Sequence, residues 1–444
     1  MKIVMVGTGY VGLVSGVCFS EIGNNVVCID KDTDIITGLN KGIIPIFEPG
    51  LETLVHKNIK EKKLSFSQNL INEIKDADII FIAVGTPRGK ESGEADLSSV
   101  FTVAEELSKN IAKDTIIAMK STVPVGTMGI LEKIFKSKPN SKMIKTASVP
   151  EFLKEGFAVN DFMSPSRIIV GSNYTEAHSK LYELHKPLIR NNKELFFKTD
   201  PQTAELIKYS SNAFLAVKIS FINEIANLCE KVDANVEEVA DGMGLDKRIG
   251  RWGLSVGPGY GGSCFPKDTL ALIHTAVQNE SPVRIVEAAV AANDSRKASL
   301  FSKINEEFNG DLRNKKIGIL GLTFKAGTDD LRDSPSVDLI ARLIQYGSHV
   351  RAYDPEGMDE ARKKISGPII WCENLYQASE GADAIVIMTE WEEFNSKNLD
   401  FTKLKELMKK KVIIDFRNMF EPAHVSSFGF DYISLGRKKS VPND

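Results

Sequence analysis

Residues 2–12 read Lys-Ile-Val-Met-Val-Gly-Thr-Gly-Tyr-Val-Gly, and this stretch decides the fold. The apolar run predicts a strand over 2–6, and a helix is predicted from the glycines to about Ile22. A second strand is predicted over 25–30. Gly7 permits a tight turn, Gly9 lets the backbone approach a pyrophosphate, and Gly12 lets the helix pack on the strand. The pattern therefore predicts a Rossmann unit that binds a dinucleotide at a helix N-terminus.

The acid at the end of the second strand favours one cofactor. Asp30 lies about 20 residues beyond the motif, where an acidic side chain binds a ribose 2′-hydroxyl. A carboxylate at that position repels a 2′-phosphate, so NAD is favoured over NADP, although the adjacent Lys31 leaves NADP open. The residues predicted to contact the cofactor here are Gly7, Gly9, Tyr10, Val11, Gly12 and Asp30.

Three further apolar runs predict strands over 78–84, 115–119 and 144–149. Strands this apolar are typical of a parallel sheet that is covered on both faces. Ligands bind where such strands end, so the polar residues that follow them are candidates for one crevice. A turn or capping role explains each of them equally well. They are Thr86, Thr122 and Glu151.

A long helix and a second α/β unit follow. Asp200 and Pro201 are predicted to be the N-cap and the first residue of a helix of about 30 residues. From Lys316 the strand–helix rhythm returns without G-x-G-x-x-G, which indicates a nucleotide-sized ligand but no second dinucleotide. Lys325 and Arg332 are candidates for phosphate contacts, with a solvated surface role equally open. The predicted fold is α/β, with two Rossmann-like doubly wound domains joined by a long central helix and a helical domain. The domains are predicted over 1–198, 199–310 and 311–444.

A glycine-rich loop at 257–268 carries the clearest candidate chemistry. It reads Gly-Pro-Gly-Tyr-Gly-Gly-Ser-Cys-Phe-Pro-Lys-Asp. A cysteine becomes a nucleophile when its pKa is lowered, and Lys267 is the kind of neighbour that lowers the pKa of Cys264. A buried structural cysteine is the alternative. Lys208 and Asn212, one turn apart on the long helix, are either functional or a solvated pair.

Composition excludes several classes of function. The 444 residues carry 56 Lys and Arg against 59 Asp and Glu, a net charge of −3, so nothing indicates nucleic-acid binding. The five cysteines are scattered without Cys-x-x-Cys spacing, which argues against a metal site and suggests reduced thiols in the cytoplasm. No apolar run is long enough to cross a bilayer, so no membrane partner is expected.

Together these stretches resemble the UDP-glucose 6-dehydrogenase family over nearly the whole chain. The resemblance is carried by the fingerprint at 7–12, Gly85-Thr86-Pro87, Ser121 to Pro124, Val149 to Phe152, Lys208 to Asn212, Gly259 to Asp268, and Gly321 to Pro335. It implies oxidation of UDP-glucose to UDP-glucuronate with reduction of two NAD⁺. It also implies a homodimer built on the long helix.

The resemblance implies the following site roles. Cys264 is the nucleophile that forms thiohemiacetal and thioester intermediates, and Glu151 activates the hydrolytic water. Lys208 and Asn212 hold the oxyanion, while Asp268, with Thr122 close by, belongs to the proton relay. Additional cofactor contacts fall to Thr86, Thr122, Glu151, Lys267 and Arg332. Substrate contacts fall to Glu151, Phe152, Leu153, Lys154, Glu155, Lys208, Asn212, Arg248, Gly253, Leu254, Ser255, Val256, Gly257, Gly261 and Lys325, with Arg248 reaching the partner subunit's site.

Other functions stay open at this point. GDP-mannose or a UDP-N-acetylhexosamine is an alternative substrate within the same chemistry. A two-electron dehydrogenase of the hydroxyacid type is a second alternative, but it does not need the α/β unit that begins at Lys316. A nucleotide-binding scaffold without chemistry is the third, and the presence of Cys264, Lys208, Asn212, Glu151 and Asp268 together argues against it.

Overall fold

The computed structural model describes residues 1–89, 95–190 and 192–442. The chain divides into two compact units, each described by itself. The N-terminal unit comprises Met1–Ser211 and Leu270–Ser281, and the C-terminal unit comprises Asn212–Thr269 and Pro282–Asp444.

The N-terminal unit is built on an eight-stranded sheet. Its strands lie in the order β3-β2-β1-β4-β5-β6-β7-β8, and all neighbours pair in parallel except β6 and β7. The first six strands follow the Rossmann order. The strands are β1 (Lys2–Val6), β2 (Asn25–Ile29), β3 (Leu64–Ser67), β4 (Ile79–Ile82), β5 (Thr115–Met119), β6 (Ile144–Ser148), β7 (Ile168–Gly171) and β8 (Phe196–Thr199).

Helices cover both faces of this sheet because its strands are apolar on both sides. Ile3 and Met5 of β1 join one hydrophobic cluster, whereas Val4 and Val6 join another on the opposite face. The helices are α1 (Tyr10–Glu21), α2 (Thr33–Asn40), α3 (Leu51–Lys60), α4 (Leu70–Glu73), α5 (Ser98–Asn110), α6 (Thr127–Lys136), α7 (Ala158–Met163) and α8 (Thr175–Ile189), with short 3₁₀ turns at Ser141–Met143 and Lys193–Leu195. The doubly wound sheet is therefore confirmed for this unit.

The C-terminal unit contains a six-stranded parallel sheet that repeats the strand order of the first six strands of the N-terminal sheet. Its order is β11-β10-β9-β12-β13-β14, so its first strand also lies in the middle. The strands are β9 (Lys316–Leu320), β10 (His349–Tyr353), β11 (Ile369–Trp371), β12 (Ala384–Ile387), β13 (Val412–Asp415) and β14 (Asp431–Ser434). Its helices are α10 (Val236–Gly244), α12 (Arg284–Glu307), α13 (Pro335–Gln345), α14 (Met358–Lys364), α15 (Leu375–Ser379), α16 (Phe401–Leu407) and α17 (Pro422–Ser427), with a 3₁₀ turn at Glu392–Phe394.

The predicted long helix is α9 (Pro201–Val232), with 32 residues. Asp200 caps it as expected, because its carboxylate accepts a hydrogen bond of 2.8 Å from the backbone amide of Thr203. The chain passes from the N-terminal to the C-terminal unit within α9, after Ser211, and α11 (Phe265–Gln278) is likewise divided after Thr269. Within the described ranges, no helix combines the length and apolar character needed to cross a bilayer.

Candidate active site

The glycine fingerprint forms a turn that fits a pyrophosphate. Gly7 has φ of +104°, a left-handed conformation that favours glycine. A Cβ on Gly12 would stand 2.0 Å from the carbonyl oxygen of Gly7, so no side chain fits there. Gly9 is exposed and would meet no atom within 4 Å, which leaves room for a ligand at the start of α1. Tyr10 and Val11 follow in the first turn of that helix.

Asp30 lies beside the fingerprint at the end of β2. Its Oδ2 accepts hydrogen bonds of 2.8 Å from both the amide and the hydroxyl of Thr8. Burial would raise the pKa of Asp30, but these bonds and one from the amide of Asp32 outweigh it, so the pKa lies below its ordinary value. The carboxylate is therefore charged at neutral pH, which fits a ribose hydroxyl and disfavours a 2′-phosphate.

Two of the predicted crevice residues are in contact. The hydroxyl of Thr86 donates a hydrogen bond of 2.9 Å to the carbonyl oxygen of Thr122. The Ser121 hydroxyl donates to the carbonyl oxygen of Val84 at 2.6 Å, so the loops after β4 and β5 hold each other. The loop after β4 begins next to the end of the fingerprint strand, because β4 pairs in parallel with β1.

The third crevice residue, Glu151, forms a buried ion pair with Lys208. Its Oε1 lies 2.8 Å from the Lys208 ammonium, and both side chains are 5% exposed. The ammonium also donates to the Glu151 carbonyl oxygen at 2.7 Å. Burial would raise the pKa of Glu151, but attraction to Lys208 and hydrogen bonds outweigh it and the net pKa is lowered. The interpretation of Lys208 and Asn212 as a solvated pair is wrong, because Lys208 is 4% and Asn212 6% exposed.

The segment after Glu151 presents a partly exposed aromatic ring. The guanidinium of Arg167 lies 3.9 Å from the ring centre of Phe152, and the Lys208 ammonium lies 5.4 Å from it. Leu153 is half-buried and donates its amide to Glu151 at 2.6 Å. Lys154 is exposed, whereas Glu155 is buried. Phe152 to Glu155 thus offers both cationic and apolar surface at the end of β6.

In the C-terminal unit, the glycine-rich loop is fixed by side-chain amides and by neighbouring backbone. Asn223 accepts a 2.9 Å hydrogen bond from the amide of Gly257, and Asn293 accepts one of 2.8 Å from the amide of Tyr260. A Cβ on Gly261 would stand 2.4 Å from the carbonyl oxygen of Asp333. The loop delivers Cys264, which is partly exposed, to the position directly before α11. The alternative of a fully buried structural cysteine is wrong for this residue.

The first turn of α11 holds a buried carboxylate. Asp268 is 1% exposed; its Oδ2 accepts a hydrogen bond of 2.6 Å from the Asn212 amide and its Oδ1 contacts the Lys267 ammonium at 2.6 Å. The backbone amide of Asp268 donates to the Cys264 carbonyl oxygen at 2.8 Å. The Asp268 carboxylate therefore connects the Asn212 amide to the Lys267 ammonium. The Cys264 thiol is close to this chain of contacts in sequence.

The remaining predicted residues of this unit fall into two groups. Leu254, Val256, Gly257 and Gly261 are buried, whereas Gly253 is intermediate and Ser255 exposed. The cations are accessible: Lys325 lies 5.6 Å above the ring of Phe324, Arg332 pairs with Asp330 at 2.8 Å, and Arg248 pairs with Asp246 while its side chain remains 89% exposed.

Two residues beside the predicted site have no role in the sequence-based prediction. Lys120 directly follows β5 and is only 5% exposed. The one sequence feature that could have marked it is a lysine placed immediately after an apolar strand. Glu48 is 6% exposed and accepts hydrogen bonds from the segment after Glu155. No local pattern marks Glu48, because its partners are distant in sequence.

Disulfides and metal-binding clusters are both absent from the part of the chain that the structure describes. Its five cysteines form no disulfide bond. No group of three or more His, Cys, Asp or Glu side chains in those ranges lies close enough together to hold a metal ion.

Comparisons with known proteins agree with this arrangement. Three domain models of the UDP-glucose/GDP-mannose dehydrogenase family match in sequence: the NAD binding domain at 1–189, the central domain at 202–295 and the UDP binding domain at 318–422. The UDP-glucose 6-dehydrogenase of Rhizobium meliloti is 50% identical over 98% of this chain and 100% of its own length. That of Rickettsia bellii is 44% identical over 99% of this chain and 100% of its own.

Solved structures agree as well. A UDP-glucose dehydrogenase from Pyrobaculum islandicum superposes with a TM-score of 0.87 at 34% identity, covering 94% of each chain. A UDP-D-ManNAc dehydrogenase from Pyrococcus horikoshii gives a TM-score of 0.83 at 26% identity, covering 98% of this chain and 99% of the other. The predicted α/β fold class, the oxidoreductase class and NAD as cofactor are confirmed. The chain belongs to the UDP-glucose/GDP-mannose dehydrogenase family.

Proposed function

We propose that this protein oxidises UDP-glucose to UDP-glucuronate with reduction of two NAD⁺. The observation that carries the proposal is the buried pairing of Lys208 with Glu151 and of Asn212 with Asp268, since the proposed mechanism gives these side chains the oxyanion, general-base and proton-relay roles. The relatives at 50% and 44% identity are both UDP-glucose 6-dehydrogenases. The UDP binding domain at 318–422 supports a UDP-sugar as the substrate class.

The first oxidation removes a proton and a hydride from the sugar C6 alcohol. NAD, when bound, accepts the hydride in each of the two oxidations. Asp268 takes the hydroxyl proton through a water in this proposal, with Thr122 beside the path. The Lys208 ammonium and the Asn212 amide are donors for the oxygen that becomes negative, and electrostatic stabilisation of this kind often contributes more to catalysis than any other effect.

The second oxidation passes through a covalent intermediate on Cys264. The thiolate attacks the C6 aldehyde, forming a C–S bond and a thiohemiacetal whose oxygen takes a proton. Loss of a second hydride and of that proton leaves a thioester. Cys264 is suited to this role because it is partly exposed and stands directly before α11, where a helix N-terminus favours a thiolate.

Hydrolysis releases the acid. A water molecule adds to the thioester carbonyl, the C–S bond breaks, and the thiol is regenerated. Glu151 acts as the general base for this water. The low pKa that its pairing with Lys208 maintains keeps it in the base form at neutral pH. Covalent capture also retains the aldehyde between the two oxidations.

The substrate is held by the segment Phe152 to Glu155, by Gly253 to Gly257 with Gly261, and by Lys325. Thr86, Lys267 and Arg332 complete the cofactor contacts in this proposal. The division into three domains at 1–198, 199–310 and 311–444 remains a prediction, as does a cytoplasmic location.

The enzyme is proposed to be a homodimer. Three large apolar side chains of α9 recur every seven residues and are exposed: Phe214 by 65%, Phe221 by 44% and Leu228 by 55%. Residues seven apart lie on one helix face, so we propose that a second copy of this chain packs against this exposed apolar face. Arg248, with its side chain 89% exposed, is then available to the partner's sugar site. Phe221→Lys should convert the dimer to a monomer in light scattering, whereas an unchanged mass would contradict the interface.

The decisive test is the yield of NADH per mole of UDP-glucose when the sugar nucleotide is limiting. A ratio near two supports the four-electron oxidation, whereas a ratio near one means that the reaction stops at the aldehyde and that Cys264 is not the covalent catalyst. Cys264→Ser should abolish turnover while binding of UDP-glucose and NAD remains. If UDP-glucose gives no NADH, GDP-mannose and UDP-N-acetylhexosamines are the next substrates to assay. Activity with one of them would identify it as the substrate in place of UDP-glucose.

A further inference from the structure

One buried carboxylate connects the dinucleotide fingerprint to the segment that follows Glu151. Oε2 of Glu48 accepts a hydrogen bond from the Tyr10 hydroxyl and one of 2.7 Å from the amide of Gly156. Its Oε1 accepts bonds of 2.7 Å and 3.3 Å from the amides of Ala158 and Val159. We call this set of contacts the Glu48 tie, and all of its members belong to the N-terminal unit.

The tie has one end at the cofactor fingerprint. Tyr10 is the first residue of α1 and directly follows Gly9, where the backbone is open for a pyrophosphate. Burial and the hydrogen bond to Glu48 raise the pKa of Tyr10, so its hydroxyl keeps its proton and acts as the donor. The same oxygen accepts a bond of 3.0 Å from the amide of Gly156, which closes a three-membered network.

The other end lies at the proposed sugar-binding segment. Gly156 immediately follows Glu155, and Ala158 begins α7, whose first amides have no partner within the helix. Glu48 supplies acceptors for these amides in a site where it is only 6% exposed. If cofactor binding displaces Tyr10, it alters the hydrogen bonds of the same carboxylate that fixes the backbone after Glu155.

We propose that Glu48 is a positioning residue that couples binding of NAD to binding of the UDP-sugar. The inference rests on the proposed function, because the sugar contacts of residues 151–155 belong to it. Such coupling is reciprocal: if NADH tightens UDP-glucose binding by some factor, UDP-glucose tightens NADH binding by the same factor. Loss of the tie uncouples the two ligands, because neither loop then responds to the other through Glu48.

The test measures the dissociation constant of UDP-glucose by titration calorimetry without and with saturating NADH, a pair that cannot turn over. Coupling between two sites typically amounts to about 5- to 150-fold, so the native protein should bind UDP-glucose at least about 5-fold more tightly with NADH. Glu48→Gln and, more conservatively, Tyr10→Phe should reduce this ratio to below about 2-fold. Tyr10→Phe removes a single hydroxyl, so it serves where the change at Glu48 impairs folding.

Glu132→Gln is the matched control. Glu132 is also a buried glutamate of the N-terminal unit, at 9% exposure, but it binds the Thr146 hydroxyl at 2.8 Å and belongs to α6. Its replacement should leave the ratio unchanged, whereas a general loss of packing would lower the ratio in all three variants. A native ratio near one, or variants that retain the native ratio, overturns the inference and leaves the proposed function standing. Failure of the native protein to bind UDP-glucose at all overturns both.

Discussion

Lys120→Met should change how the free energy of unfolding depends on pH. Lys120 is 5% exposed, and its ammonium lies 5.8 Å and 5.9 Å from the ring centres of Phe81 and Phe162. Burial lowers the pKa of this lysine to about 8, an effect that Glu151 opposes by attraction and Lys208 assists by repulsion. An ordinary lysine titrates near 10.4, so the folded chain loses this proton much earlier than the unfolded chain does.

The sign follows from the proton count. Between about pH 8 and about pH 10.4 the unfolded state binds one more proton than the native state, so stability rises with pH in this window. One proton corresponds to about 1.4 kcal/mol per pH unit, which gives a gain of about 2 kcal/mol from pH 8 to pH 9.5. Below that window both states are charged, and the cost of burying the ammonium is constant. Methionine keeps the length of the side chain and carries no proton, so the variant lacks this gain.

The assay is urea unfolding of the native protein and the variant at several pH values between about 7 and 9.5, a range set by the lowered pKa. Groups that titrate in both proteins cancel in the difference. A pH-stat measurement of proton uptake on unfolding near pH 9 should differ by close to one proton per chain. Lys186→Met removes a charge from a side chain that is 61% exposed and should leave both quantities unchanged. Parallel pH profiles for Lys120→Met and the native protein would refute the reasoning, since they would mean that Lys120 titrates as a solvated lysine.

Three further outcomes are expected. Gly12→Ala should weaken NADH binding at least about 10-fold, because the new Cβ would stand 2.0 Å from the Gly7 carbonyl oxygen; calorimetry with UDP-glucose, whose binding should persist, is the control. Gly261→Ala should destabilise the protein by about 1–3 kcal/mol in urea unfolding, because its Cβ would stand 2.4 Å from the Asp333 carbonyl oxygen. Lys208→Ala should slow both oxidations about 100-fold or more in single-turnover assays; an unchanged rate at saturating substrate would contradict the oxyanion role.

The central strands could be predicted from sequence because burial on both faces leaves a continuous apolar run. The bounds predicted for β1 and β5 agree with the structure at Lys2–Val6 and Thr115–Met119. The strands β3 and β11 lie at sheet edges and were not predicted. β3 reads Leu-Ser-Phe-Ser with alternating burial, and β11 has only three residues. Runs this short are indistinguishable from loops until a neighbouring strand provides the hydrogen bonds.

The site was predicted less completely than the fold, for a physical reason. Helical periodicity places Lys208 and Asn212 on one side of α9 but does not say whether that side is covered. Coverage comes from partners far along the chain: Glu151 is 57 residues from Lys208, and Asp268 is 56 residues from Asn212. A charged pair at helical spacing therefore carries the same local pattern whether it is solvated or buried against a carboxylate.

The two sheets show how one topology serves two ligand classes. Each has an aspartate after its second strand, Asp30 after β2 and Asp354 after β10, and in each a glycine amide binds back to that strand. Asp30 is partly exposed, and a hydrogen bond from Thr8 stabilises its charged form. Asp354 is 0% exposed and accepts bonds from the amides of Leu322, Thr323, Glu356 and Gly357 and from the Trp391 indole. In the second sheet, hydrogen-bond donors of the protein therefore contact the aspartate at the position where a ribose hydroxyl contacts it in a dinucleotide-binding fold. Asp354 holds the surrounding loops in place and does not face a ligand. The C-terminal unit therefore fits a nucleotide-sized group without the ribose contact that Asp30 offers to the cofactor.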